Sequence, residues 1–434
     1  MSFWQLIAAA LCVLINVLDG FDILLMSVAA PAIGADLHLT TAEVGFVFSS
    51  GLAGMMVGAL SLATAADRLG RRTIILLCLA INGAGMFLTG CSDGLAGLLL
   101  FRFITGLGVG GIMPTVNTAI AEIVNERGRS AAVVIQAAAY PLGGLIAALV
   151  WDPLIQGHTW HQVLRLACLP SIACFVLALL FLPETVPYLS RRQPVNALGR
   201  INATRRRFGQ PAIAELPAKT DVAPAFVRPL FDRPLRRGFF AFSATAFLTQ
   251  FSFYFFLSWL PVVMVSAMTL HGGPRLGTVL LNLGGVIGDF VFAALSLRRS
   301  VLRLTPNTMF IAFCFFAVLP MLSHTPILAG FAAFIAGASL YASMAGLYGI
   351  APNVFPTLNR SSGTGLALSV GRLGGALSPS IGAALLGVPL VGAGPTLVIM
   401  AIPLFLSALV LRFFLPQVVP QAGTVIPHKF VEVE

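Results

Sequence analysis

The feature that most constrains this chain is a recurrent one: runs of about 20 residues with scarcely a charge, each long enough to cross a hydrocarbon core roughly 30 Å thick. They fall at 5–32, 42–66, 73–90, 94–122, 130–151, 164–182, 238–266, 274–297, 305–323, 326–354, 361–387 and 392–415. Only 10% of the 434 residues are charged and mean hydropathy is +0.93, against roughly 25% charge in soluble domains. That excludes an ordinary soluble enzyme and a disordered chain. The expected fold is an all-α polytopic membrane protein with twelve transmembrane helices.

The net charge of +10 reflects topology, not a nucleic-acid partner. Arg68, Arg71, Arg72, Arg127, Arg129, Arg298, Arg299, Arg303, Arg360 and the basic stretch 191–237 fall in alternate loops, and the other set of loops holds only Arg165 and Arg275. The positive-inside rule then places both termini in the cytoplasm. The first span lacks a cleavage site and reads as an uncleaved helix. The six cysteines lie in or beside apolar runs without metal or redox spacing, so they read as small buried hydrophobes.

Residues 183–237 form the one long polar insertion. They divide the chain into a bundle over 1–182, a cytoplasmic linker with short amphipathic helices on anionic lipid, a bundle over 238–415 and a tail over 416–434. The halves repeat in parallel: Arg129-Ser130 and Gly143-Gly144 recur 231 residues later as Arg360-Ser361 and Gly374-Gly375. Parallel repeats with a midplane site between them are a secondary-transporter architecture.

The loop after the second span reads Ala63, then Asp67-Arg68-Leu69-Gly70-Arg71-Arg72. Gly70 permits a tight turn, Asp67 could cap a neighbouring helix, and the arginines could anchor a gate together with Glu122, Arg129 and Arg360. This resembles the major facilitator signature, with Ala63 replacing its first glycine. The matching loop after the eighth span has Leu297 where the acid would stand. Asp19-Gly20-Phe21-Asp22 in the first span, with Arg102 through Gly111, Pro183-Glu184-Thr185, and Gly371-Arg372-Leu373-Gly374, resembles the aromatic acid:proton symporter branch. The resemblance implies import of benzoate, hydroxybenzoates or protocatechuate by a monomer in a bacterial inner membrane, without a cofactor or metal.

Helix rise tests the site independently. At 1.5 Å per residue, Asp19 and Asp22 lie roughly 21 and 25 Å from the cytoplasmic edge, Arg102 roughly 18 Å and Arg372 roughly 16 Å. Charges at such depth are costly and usually face a cavity, although mutual structural pairing is the alternative. Arg102 could pair with Asp19 or Asp22. Arg372 is the expected carboxylate ligand, because a guanidinium binds a carboxylate bidentately. Asp22 or Asp19 would carry the proton, with Asp289 either a second proton site or a partner of Arg298 or Arg299. Tyr254 or Trp259 could stack on a ring, Tyr140, Tyr341 and Tyr348 are polar-tipped candidates, and Gln136 and Asn282 could bond ring hydroxyls; packing against other helices is the commoner role for the aromatics and at least as common for the amides. Gly106, Gly108 and Gly110 read as helix contacts. Import of another organic anion such as a muconate, proton-coupled drug antiport and a non-transporting acid sensor remain competing readings. No hydrolytic or ATP-binding constellation occurs.

Overall fold

A computed structural model describes the backbone of residues 2–216, 228–267, 273–322, 325–355, 360–388 and 391–414. The tail expected over 416–434 lies outside these. The first half holds α1 (Phe3–Asp36), α2 (Thr41–Leu69), α3 (Arg71–Thr89), α4 (Leu95–Ile123), α5 (Glu126–Ile155), α6 (Trp160–Leu166) and α7 (Cys168–Phe181). Next come α8 (Val186–Arg192) and α9 (Ala197–Arg207). The second half holds α10 (Arg233–Ala267), α11 (Gly273–Ser296), α12 (Val301–Val318), α13 (Pro326–Val354), α14 (Arg360–Leu386) and α15 (Ala393–Phe413).

Local chemistry sets several starts. Ser2 with Gln5, Thr40 with Glu43 and Thr159 with Gln162 form reciprocal capping boxes, each satisfying two N–H groups that a helix end leaves open. The sixth span is broken at Ala167. Pro170 has no N–H to give the Leu166 carbonyl, which accounts for the break.

Eleven helical segments are long and apolar enough to cross a membrane among the described residues. The twelfth expected span is present as α14, which is long enough but more polar. Its polarity has a packing reason. Gly371, Gly374 and Gly375 bring it against α10, where an added Cβ would strike Gln250, Phe247 and Tyr254.

The two halves pack alike. The pairs α1–α5, α2–α4 and α3–α4 recur as α10–α14, α11–α13 and α12–α13. The halves meet chiefly through α2 on α14 and α5 on α11, contacts that exchange under the same repeat. Glycine makes the tight crossings possible. A Cβ on Gly54, Gly58, Gly106 or Gly110 would run into the backbone across the α2–α4 seam, and one on Gly20 or Gly143 would do so across α1–α5. Gly106, Gly108 and Gly110 thus serve helix contact, as expected.

The linker helices lie against the protein. Tyr188, Leu189 and Ile201 form a small core, and the Arg207 guanidinium lies 5.6 Å from the Trp4 ring, a cation–π contact.

Candidate substrate and proton site

Within α1, Asp19 and Asp22 sit one turn apart, fully buried. Asp22 Oδ2 accepts from Asn82 Nδ2 at 2.5 Å. Asp22 Oδ1 and both Asp19 oxygens have no partner. The anticipated ion pair with Arg102 is absent as a contact. Arg102 and Asp22 instead line one narrow cavity with Gly51, Met55, Thr105 and Ser258, where their charges attract. Arg102 is 6% exposed, its Nε unpartnered, and its NH1 is 3.8 Å from Met86 Sδ.

Arg372, on α14, is partly buried. It attracts Asp19 across the seam between the halves and bonds to the Tyr348 hydroxyl. Tyr254 and Tyr348 interact with it, and Tyr140 and Tyr341 lie next to Tyr254 in turn. Tyr140, Tyr254 and Tyr348 all interact electrostatically with Asp19. Tyr341 lies 6.3 Å from Tyr140 between ring centroids and 5.2 Å edge-on from Phe253. Tyr341 is one of the polar-tipped candidates read from the sequence; Phe253 is not singled out there, since nothing distinguishes it from its neighbours in the aromatic run 251–256.

Two expected ring-binding residues have other work. Trp259 is 2% exposed, donates to the Pro379 carbonyl at 2.9 Å and packs edge-on against Phe48. Asn282 donates to the Thr278 carbonyl at 2.9 Å, accepts from Tyr341 at 2.8 Å and lies against Gly144 of the other half. Both are therefore tied to packing partners. Gln136 is buried with neither side-chain polar atom partnered. Asp289 is 4% exposed; its Oδ1 has no partner, and no ion pair joins it to the exposed Arg298 or Arg299.

A second cluster gathers at the Arg-rich end. Arg71 is 6% exposed and pairs with Asp67 at 2.7 Å and Glu122 at 3.6 Å. Asp67 does not cap α3. That is done by Glu184, whose Oε1 accepts from the N–H groups of Arg71 at 2.9 Å, Arg72 at 3.3 Å and Thr185 at 3.1 Å. Burial raises the Glu184 pKa, against the opposing pull of these donors. Gly70 adopts φ +104°, and a Cβ there would collide with Glu184. Arg72 donates to the Leu179 carbonyl at 2.7 Å. Tyr188 donates to the Arg68 carbonyl at 3.2 Å, and Arg192 to the Asp67 carbonyl at 3.0 Å. The Arg68 side chain is exposed. The side chains of Arg129 and Arg360 lie outside the described residues.

At the opposite end the halves touch directly. Ser380 Oγ is 2.7 Å from Ser49 Oγ, Ser27 donates to the Leu257 and Ser258 carbonyls at 2.9 and 2.6 Å, and a Cβ on Gly45 would strike Ala383.

Two packed halves with an acid–arginine–tyrosine site in their seam define a secondary-transporter architecture. The Major Facilitator Superfamily model matches residues 12–379, and the chain belongs to that family: it is a carrier, not an enzyme. It is 30% identical to the 4-hydroxybenzoate transporter PcaK of Pseudomonas aeruginosa over 88% of this chain and 86% of that one. It is 29% identical to the gallate transporter of Pseudomonas putida, over 94% and 91%. It is likewise 29% identical to the benzoate transport protein of Acinetobacter baylyi, over 87% and 82%. The fold is similar to that of the E. coli xylose transporter XylE in a partially occluded inward-open conformation, with TM-score 0.73, 16% identity and coverage of 96% and 98%.

Proposed function

We propose that this protein imports a small aromatic carboxylate together with protons by alternating access. The observation that carries the reading is the grouping of Arg372, Tyr348, Tyr254 and Tyr140 beside two fully buried aspartates. A guanidinium holds a carboxylate in its fork, and the surrounding rings offer apolar faces to an aromatic body. Similarity along nearly the whole chain to transporters named for gallate and 4-hydroxybenzoate supports the same substrate class.

In this cycle, a proton loads on Asp22 or Asp19 from the periplasmic side and the acid binds Arg372. Each event neutralises a charge that is costly in a low-dielectric cavity, so the loaded site can be enclosed. The halves then rock about the seam and both species leave to the cytoplasm. Asp22 is favoured as carrier, since its Asn82 bond orients the carboxyl while Oδ1 stays free. The lack of an Arg298 or Arg299 partner favours Asp289 as a second proton site over a structural pair. The contacts of Ser49 with Ser380 form the periplasmic closure, and Arg71 with Asp67, Glu122 and Glu184 holds the cytoplasmic gate. Both termini are cytoplasmic, and the monomer, seated in lipid in a bacterial inner membrane, is the working unit.

The test is uptake of labelled benzoate, 4-hydroxybenzoate and protocatechuate into proteoliposomes with and without an inward proton gradient. Gradient-stimulated accumulation of any one establishes the symport. Absence of uptake for all three, by folded protein, rejects this reading.

A further inference from the structure

Gln136 and Tyr140 lie one turn apart on α5 and share a face. Gln136 is 3% exposed, and neither Oε1 nor Nε2 has a partner. Tyr140 is 7% exposed, and its hydroxyl has none either. Their backbones explain why they are here but not why they are polar. The Gln136 carbonyl accepts from Asn16 Nδ2, and the Tyr140 carbonyl lies where α1 passes closest, at Gly20. The Tyr140 ring faces the other half, 6.5 Å from Phe253 and 6.3 Å from Tyr341, and its hydroxyl interacts with those of Tyr254 and Tyr348 around Asp19. The Tyr140 tip therefore borders the seam, on the wall contributed by the first half, and Gln136 follows it one helical turn away on the same face of α5.

Neighbouring polar groups behave differently. Trp259, Asn282 and Tyr341 are as deeply buried, and each has a protein partner. A buried polar group without a partner costs stability, whereas an apolar replacement of the same shape is nearly neutral. An amide and a phenol left open on one wall suit a ligand that brings its own donor and acceptor. A phenolic hydroxyl supplies both, and the amide and the tyrosine hydroxyl each supply both in return.

We infer that Gln136 and Tyr140 read a ring hydroxyl, so that the preferred substrate is a hydroxylated aromatic acid, its carboxylate on Arg372 and its hydroxyl on α5. This rests on the aromatic-carboxylate reading above and deepens it. An unsubstituted ring would leave both groups unpaired once water is expelled, and sites built for a hydroxyl reject analogues lacking it strongly.

The experiment compares apparent affinities of benzoate, 3-hydroxybenzoate, 4-hydroxybenzoate, 3,4-dihydroxybenzoate and nicotinate, in proteoliposomes under one proton gradient. At least one hydroxylated acid is expected to bind about tenfold or more tighter than benzoate. Tyr140→Phe and Gln136→Leu, checked for folding by their elution as monodisperse protein, should each shrink that ratio toward unity. Uptake with benzoate or nicotinate equal to or better than every hydroxylated acid overturns this inference alone. So does a ratio unchanged in both variants. Uptake of none of the acids overturns the carboxylate reading itself.

Discussion

At the residue scale, the site divides into charges held by partners and charges left open. Asp22 has Asn82 on one oxygen, and Asp19 has nothing on either. Asp22→Asn is expected to abolish gradient-driven accumulation while exchange of labelled for unlabelled acid continues, because the anion site remains and only the titrating group is gone. Counterflow in proteoliposomes checks this; full retention of pH-driven uptake would refute it. Arg372→Lys keeps the charge but loses the planar fork, so apparent affinity for the acid should fall about tenfold or more. Competition against labelled acid measures it, and an unchanged affinity would remove Arg372 from carboxylate binding. The acids and arginines were readable in the sequence, since an ionisable residue at midplane depth has few bland explanations. Trp259 was not readable: nothing in its neighbourhood announces that the Pro379 carbonyl will take its N–H.

At the element scale, the turn between α2 and α3 shows how a motif can be recognised and its parts misassigned. Asp67 is followed by Arg71 at i,i+4, and the two pair on one helix face. The α3 N-terminus is therefore left to an acid from another segment, 113 residues away from Arg71. A carboxylate accepting several first-turn N–H groups is an effective cap. Glu184→Ala should lower stability by about 0.5–2 kcal/mol, read as a lower thermal midpoint in detergent, while Glu184→Gln keeps an acceptor oxygen and should lose less. Equal loss in both variants would mean that charge, not capping, is what Glu184 supplies. Helix boundaries were close to expectation where an apolar run has polar flanks. The sixth span also reads as one crossing segment, Trp160–Phe181, and what the apolar run did not announce is its interruption at Ala167, ahead of Pro170.

For the whole molecule, the halves meet by hydrogen bonds at the end away from the Arg71 cluster, through Ser49 with Ser380 and Ser27 with α10. If the halves must part there to admit substrate, locking them must stop transport. Ser49→Cys with Ser380→Cys, in a chain with Cys91 and Cys314 replaced by serine, should form a disulfide under mild oxidant. Uptake should fall to background and return on reduction. Cross-linked protein that still transports would place the substrate's entrance elsewhere.

The sequence by itself determined the class of molecule. Twelve apolar runs can only become helices in lipid, because every backbone N–H and C=O must be satisfied within its own segment. It also determined how far along its own helix each charge lies, because helix rise is constant. It did not determine which polar groups find partners. That depends on which faces of which helices meet, and the meeting is set by glycines such as Gly20, Gly106 and Gly371 that admit backbone or a single side chain at one point and nowhere else. Close approach satisfies Trp259, Asn282 and Glu184 and leaves Asp19, Gln136 and Tyr140 open. Partnering is a property of two surfaces, and a one-dimensional pattern specifies only one of them at a time.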